Sequence, residues 1–138
     1  DAALPAFPDS EASPALRKTV LVAAKAKRTI TTDVDTGVTT YELDDDGGTW
    51  RLDDIDLTIA IRRRRRFSIH PDDPSSARVE MYWHRRYARG DWRAAAESDI
   101  VMTGDKETFQ VVARLDGWEG EARIFSRNWA ESIARDLV

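Results

Sequence analysis

Apolar and polar residues alternate with a period of two along most of this chain from residue 18 onward, and turn sequences interrupt the alternation. A period of two places successive side chains on opposite faces of a β-strand. The alternating runs are TVLV (19–22), RTITTDV (28–34), VTTYELD (38–44), TWRLD (49–53), IDLTIAIRRRRRFSIH (55–70), ARVEMYWHRRYA (77–88), WRAAAESDIVM (92–102), TFQVVARLD (108–116) and EARIFSRNWAESI (121–133). This pattern predicts an all-β domain over residues 18–138, an antiparallel up-and-down sheet of about eight strands that closes into a barrel, half-barrel or sandwich.

The segments between these runs are rich in Gly, Asp and Pro, the residues that form tight turns. The segments expected to turn the chain are DTG (35–37), DDGG (45–48), PDDPSS (71–76), RGD (89–91), TGDKE (103–107) and GWEG (117–120). Only residues 23–27 and 94–97 have a composition compatible with a helix, and no strand–helix–strand alternation is visible. We therefore expect neighbouring strands to be joined as hairpins.

Residues 1–17 differ from the rest because they contain three of the five prolines and no alternation. This composition predicts a linker or an extended leader. The chain starts with Asp1 instead of Met, so we expect a processed chain or a piece of a longer protein. It has no cysteine, no signal peptide and no apolar run near the roughly 18 residues that a membrane span needs. We therefore expect a cytoplasmic protein with no membrane partner.

Five consecutive arginines in IAIRRRRRFSIH (59–70) raise the question of a nucleic-acid site. Nucleic-acid domains are usually basic overall, with lysine and arginine gathered on one face. This chain instead has a net charge of −4. The acidic residues shortly before the run are Glu42, Asp44, Asp45, Asp46, Asp53, Asp54 and Asp56. Because these acids offset the arginines locally, we expect no nucleic-acid partner.

If the arginine run is one unbroken strand, its odd-numbered and even-numbered side chains lie on opposite faces. Arg63 and Arg65 then share a face with the apolar residues of the strand. We expect them to be partly buried and charge-paired, with Glu97 or Asp99 as candidate partners, because burying an unpaired charge is costly. The arginines expected to be solvated are Arg62, Arg64 and Arg66. A β-bulge inside the run would change this phase.

The motifs that usually indicate catalysis are missing from the sequence: there is no Gly-x-Ser-x-Gly elbow, phosphate loop, HExxH helix or dinucleotide fingerprint. SIHPDD (68–73) contains the residue types of a serine triad, but residues two apart on a strand lie roughly 7 Å apart and nothing supplies an oxyanion hole. His70 and His84 match no known metal-site spacing, and DVDTG (33–37) lacks the third acid of a calcium loop. We expect no catalytic residue, no metal and no cofactor.

Five tryptophans give the chain bulky apolar material that is either core or the lining of a ligand pocket. They are Trp50, Trp83, Trp92, Trp118 and Trp129. If they line a pocket, the chain is a lipocalin-like small-molecule-binding β-barrel, and this stays open as an alternative function.

Several stretches, taken together and in order, resemble one protein family. They are TGVTTYELDDDGGTWRLDD (36–54), SIHPDDPSSAR (68–78), RGDW (89–92), ARLDGWEGEARIFSRNW (113–129) and RDLV (135–138). This set is similar to the C-terminal β region of cocaine-esterase/NonD-type hydrolases, in the X-Pro dipeptidyl-peptidase group of α/β-hydrolases. The resemblance covers residues 28–138.

The resemblance implies a non-catalytic C-terminal accessory β domain of a serine hydrolase that acts on ester or amide bonds. The catalytic triad of that family lies in an upstream α/β-hydrolase domain, so no catalytic residue is carried over to this chain. The implied partner is that upstream domain in the same polypeptide, and a second copy of the chain is a further candidate. The implied roles are stabilising the parent enzyme, shaping access to its site, or oligomerisation.

Overall fold

The computed structural model describes residues 12–136. Within them the chain forms eight β-strands and one 3₁₀ turn, Asp53–Ile55, and the predicted all-β fold is confirmed. The strands are β1 (Lys18–Val22), β2 (Lys25–Thr32), β3 (Thr39–Leu52), β4 (Leu57–His70), β5 (Asp73–Arg89), β6 (Trp92–Gly104), β7 (Thr108–Glu119) and β8 (Ala122–Ala134). Most of the leader or linker expected over residues 1–17 lies outside the described residues, and residues 12–17 have no regular secondary structure.

The strands form one antiparallel sheet in the order β1-β3-β4-β5-β6-β7-β8, and β2 also pairs with β3. β2 pairs with residues 39–46 of β3 and β1 pairs with residues 49–52, so these two short strands share one edge. From β3 onward each strand pairs with the next, which is the up-and-down order that the turns predict. The other edge is β8, which pairs only with β7 among the described strands. The sheet is therefore open and not closed into a barrel.

The DDGG segment (45–48) does not form the turn that we predicted. It lies inside β3, which passes through it without reversing. The register with β4 shifts between Asp46 and Thr49, which is a β-bulge. Gly48 has a φ of 75°, and its N–H donates a hydrogen bond to Asp46 Oδ1 at 2.8 Å. Glycine with positive φ serves both hairpins and bulges, and pairing of β3 with strands on both sides holds the chain extended here.

The DVDTG segment (33–37) is the hairpin turn between β2 and β3. Asp33 Oδ1 accepts hydrogen bonds from the backbone N–H groups of Thr36 at 2.8 Å and Asp35 at 3.0 Å. These bonds, the one from Thr36 above all, hold the pKa of Asp33 below its usual value. Gly37 closes the turn with a φ of 74° and donates its N–H to the Asp33 carbonyl oxygen at 2.8 Å. The Asp33 carboxylate therefore stabilises the turn, as the hairpin interpretation predicts.

The two segments with helix-compatible composition are not helical. Residues 94–97 lie within β6, and residues 25–27 lie within β2. In the part of the chain that the structure describes, there is no helix long and apolar enough to cross a membrane.

The two faces of the sheet differ sharply in composition, because residues paired across neighbouring strands point to the same side. We call one side the apolar face. Its main residues are Val20, Ile30, Tyr41, Leu43, Trp50, Leu52, Leu57, Ile59, Ile61, Phe67, Ile69, Val79, Met81, Trp83, Tyr87, Ile100, Met102, Phe109, Val111, Leu115, Phe125, Trp129 and Ile133. We call the other side the polar face. Its main residues are Lys25, Lys27, Glu42, Asp44, Asp46, Arg62, Arg64, Arg66, Arg78, Glu80, Tyr82, His84, Arg86, Glu97, Asp99, Arg114 and Asp116.

The apolar face is not covered by a second layer of structure. Among residues 12–136 no hydrophobic side chain is buried. The described strands contact mainly their neighbours within the sheet. Domains normally consist of two or three packed layers around one core, so this sheet has the form of a single layer.

Candidate functional site

The apolar face is the largest candidate interaction surface, and it extends across the whole sheet. At its edges the exposed fraction reaches 72% for Ile30 and 52% for Ile133. Near its centre Trp83 on β5 is still 38% exposed. Soluble monomers rarely leave so large an apolar patch in contact with water, and such patches usually mark a protein or membrane contact.

An ion triad lies within the apolar face. Asp45 on β3 is only 9% exposed, and its carboxylate contacts two arginines. Arg28 Nη1 lies 2.7 Å from Asp45 Oδ1, and Arg65 Nη2 donates to Asp45 Oδ2 at 2.9 Å. These bonds, the one from Arg28 first, hold the pKa of Asp45 below its usual value. Arg65 is therefore charge-paired, but with Asp45 and not with Glu97 or Asp99, which lie on the polar face.

Arg63 contacts an aromatic ring where we expected an acid. Its guanidinium carbon lies 5.6 Å from the centroid of the Trp83 ring, and that of Arg85 lies 5.9 Å from the same centroid. Both contacts fall within the range of cation–π attraction. The Nε of Arg63 is buried and has no hydrogen-bond partner among the described residues. Arg63 therefore has a cation–π contact in place of the acid partner that we expected.

The exposures of the arginine run alternate as an unbroken strand predicts. Arg63 and Arg65 are half-buried, whereas the even-numbered arginines are exposed on the polar face. No register shift interrupts the pairing of residues 62–66 with β3 or β5. Two of the exposed arginines pair with acids: Arg62 Nη2 lies 2.9 Å from Asp44, and Arg66 Nη1 lies 3.0 Å from Glu80.

We expect the two sides of this strand to respond differently to alanine. Arg65→Ala should lower the free energy of unfolding by about 1.5 kcal/mol or more, because it removes one of the two cations that hold a nearly buried carboxylate. Arg64→Ala, at the adjacent exposed position, should change it by less than about 0.5 kcal/mol. Urea denaturation of the two variants measures the difference. Small and equal losses would show that the triad adds nothing to stability.

One of the tryptophans, Trp83, lines an open cleft of about 330 Å³ on the apolar face. Four of them lie on the apolar face, where two stack beneath cations: Lys18 Nζ is 4.5 Å from the Trp50 ring, and the Arg127 guanidinium is 4.9 Å from the Trp129 ring. Trp92 is 45% exposed and donates its Nε1–H to Glu119 Oε1 at 3.2 Å. Trp118 is the exception, because its register places it on the polar face.

A cleft of about 560 Å³ opens on the polar face, over the middle of β3, β4 and β5. Its charged and hydrogen-bonding lining residues are Asp46, Thr49, Arg62, Arg64, Tyr82, His84 and Arg86. Burial, as the largest cause, raises the pKa of Tyr82. The hydrogen bond from Arg62, as the largest cause, lowers the pKa of Asp44 beside the cleft.

A row of polar side chains continues from this cleft across the sheet. Pairing of β4 to β7 aligns Arg62, His84, Glu97 and Asp116. His84 Nε2 lies 3.4 Å from Glu97 Oε1. Asp116 is only 3% exposed, and Arg114 Nε lies 3.4 Å from its carboxylate. In this row acidic side chains contact basic ones. We therefore interpret it as a network of charge pairs and not as a catalytic site.

The sequence predicted that Arg62, Arg64 and Arg66 are solvated, but it did not predict that they share one surface with Tyr82, His84, Arg86 and Asp116. The alternation of residues 77–88 indicates that His84 and Arg86 lie on the same face of their strand. The local sequence does not show that this strand lies close to β3.

The SIHPDD segment (68–73) forms a turn and not a triad. His70 Nδ1 accepts a hydrogen bond from the backbone N–H of Asp72 at 3.2 Å, so no carboxylate orients this imidazole through Nδ1. Ser76 Oγ accepts the N–H of His70 at 2.7 Å and donates to the Asp73 carbonyl oxygen at 2.6 Å. Within residues 12–136 no group of three or more His, Asp or Glu side chains is placed to hold a metal ion.

Comparison with known proteins gives no match: no family model, no curated protein and no solved structure matches this chain. None of the three comparisons therefore links it to the cocaine-esterase/NonD-type hydrolases.

Proposed function

We propose that this chain is a non-catalytic accessory β domain of a cytoplasmic serine hydrolase of the esterase or X-Pro dipeptidyl-peptidase type. Its apolar face packs against the upstream α/β-hydrolase domain of the same polypeptide. In that position it stabilises the parent enzyme and shapes access to its site.

The observation that supports this proposal is the uncovered apolar face. Large hydrophobic side chains stay exposed from one edge of this face to the other, with exposed fractions of 72% for Ile30, 38% for Trp83 and 52% for Ile133. Interfaces with extensive apolar surface are typical of permanent assemblies, which resemble a domain core cut in half. A domain of the same polypeptide would cover such a face permanently.

The choice of a hydrolase as the parent comes from the stretches that resemble that family. Two of these stretches contain hairpin turns of the sheet. The β4–β5 turn lies in SIHPDDPSSAR (68–78), and the β7–β8 turn lies in ARLDGWEGEARIFSRNW (113–129). The arrangement of Ser68, His70 and Asp72 also agrees with a non-catalytic role, because it lacks the contacts of a triad.

The reading frame upstream of Asp1 tests the parentage directly. We expect it to encode an α/β-hydrolase domain with a Gly-x-Ser-x-Gly nucleophile elbow. An upstream frame that encodes no hydrolase would contradict the proposal, and a stop codon directly before Asp1 would do the same.

A second test concerns activity. The 138-residue chain alone should not hydrolyse p-nitrophenyl acetate or a Pro-containing dipeptide amide above the buffer rate, because no nucleophile is paired with a base. The matched comparison is the chain with Ser68→Ala. Turnover that persists through purification and disappears in this variant would overturn the non-catalytic assignment.

A further inference from the structure

Two arginines of the polar face make no salt bridge within the described part of the chain. Most arginines of this face contact a carboxylate: Arg62 pairs with Asp44, Arg66 and Arg78 with Glu80, and Arg114 with Asp99. Arg64 and Arg86 have neither a salt bridge nor a side-chain hydrogen bond among residues 12–136. Both line the 560 Å³ cleft.

The register of β4 and β5 places these two arginines on opposite sides of the cross-strand pair Arg62 and His84. Arg64 on β4 pairs with Tyr82, and Arg86 on β5 pairs with Ala60. The pair Arg62 and His84 lies between them. Four residues along a strand place the two arginine backbones roughly 14 Å apart. Two extended side chains can span that gap from either end and contact one ligand above His84.

The two arginines of the lining that make no salt bridge among the described residues, Arg64 and Arg86, supply two positive charges that favour a dianion. The third arginine of the lining, Arg62, is paired with Asp44. The lining also contains one aspartate. The aspartate, Asp46, already accepts the Gly48 N–H at 2.8 Å. A phosphate monoester carries a charge of about −1.5 to −2 at pH 7. Planar guanidinium groups bind phosphate oxygens in pairs, and Tyr82 adds a hydroxyl donor.

The rest of the lining fits an organic group attached to the phosphate. Val22 and Ala60 add apolar surface to the same cleft. Its volume lies within the range of small-molecule sites. We propose that the cleft binds a small phosphate monoester and that Arg64 and Arg86 donate hydrogen bonds to its phosphate oxygens. This site is on the face opposite the proposed hydrolase contact, so it does not depend on that contact.

Isothermal titration calorimetry of the chain with phenyl phosphate tests the proposal. We expect saturable binding that Arg64→Gln and Arg86→Gln each weaken by about tenfold, because each removes one charge-assisted pair of hydrogen bonds. Arg78→Gln is the matched control: it neutralises an arginine of the same face that lies outside the cleft, and it should change the affinity by less than about twofold. Phenyl sulfate, which has the same shape and a single charge, should bind more weakly than phenyl phosphate.

An NMR titration provides a readout on the unmodified chain. The Nε–Hε signals of Arg64 and Arg86 should shift on addition of phenyl phosphate, whereas that of Arg78 should not. No saturable heat would overturn the proposal. Equal loss of affinity in all three variants would overturn it as well, because it would indicate diffuse attraction to a charged face. Equal binding of the sulfate would contradict the choice of a dianion.

Discussion

On our proposal that a hydrolase domain covers the apolar face, replacing Ile100 by lysine should detach that domain from the sheet, whereas replacing the next residue, Val101, by lysine should leave the proposed assembly intact. Both residues are half-buried in β6, but they lie on opposite faces. Ile100 lies on the apolar face between Met81 and Ala113, where a covered ammonium group would have no partner. Burying such an unpaired charge costs about 3 kcal/mol or more.

Val101 is the matched control because its neighbour across the strand pair is an acid. It lies on the polar face opposite Glu80, so a lysine there stays in water and gains an opposite charge nearby. In the 138-residue chain alone, Ile100→Lys should change stability by less than about 1 kcal/mol, since the apolar face is already exposed to solvent.

Denaturation and limited proteolysis of the proposed longer polypeptide, next to the same measurements on the 138-residue chain, separate these outcomes. We expect Ile100→Lys to make the junction between the domains sensitive to protease and Val101→Lys to behave as the unchanged protein. Equal behaviour of the two variants in the proposed longer polypeptide would show that the apolar face is not the contact surface.

Gly48→Ala should be among the most destabilising single substitutions in this chain. Gly48 has a φ of 75°, where a Cβ is strained. A Cβ at this position would overlap the carbonyl oxygen of Val22 and come within 2.9 Å of backbone atoms of Ala23 and Ala24. These atoms belong to the link between β1 and β2, which passes directly beside the bulge. Because backbone atoms cannot move aside as a side chain can, we expect a loss of about 3 kcal/mol or more.

Gly120→Ala separates the conformational strain from the steric overlap. Gly120 also has a positive φ, 58°, but a Cβ there would meet no atom within 4 Å. Its replacement should cost only about 1 kcal/mol. Thermal or urea unfolding of the two variants gives the comparison. Similar losses of unfolding free energy at both positions would show that the β1–β2 link can move away from the added Cβ without destabilising the fold.

Much of the fold could be predicted from the sequence because its signals are local. A period of two in the hydrophobic pattern is a property of each strand alone, so it predicts the strands and the face on which each side chain lies. This is why the alternation of Arg63 and Arg64 in exposure followed from the sequence. Turns such as DVDTG (33–37) are equally local, because Asp33 and Gly37 close the turn through their own backbone.

Other features depended on which strands pair and in what register, and short sequence stretches do not contain that information. The partner of Arg65 is Asp45, twenty residues away along the chain but on the adjacent strand. The DDGG segment (45–48) became a bulge and not a turn because strands on both sides of β3 hold it extended. The cleft with Arg64 and Arg86 exists only because β4 and β5 align those two positions around His84.

The sequence by itself predicted about eight antiparallel β-strands with alternating apolar and polar side chains, because this alternation is fixed residue by residue along an extended backbone. Only the tertiary structure decided that the sheet stays open and that its apolar side has no second layer among the described residues. The physical reason is that closure depends on whether the first and last strands pair, and that is a relation between the ends of the sheet and not a property of any single strand.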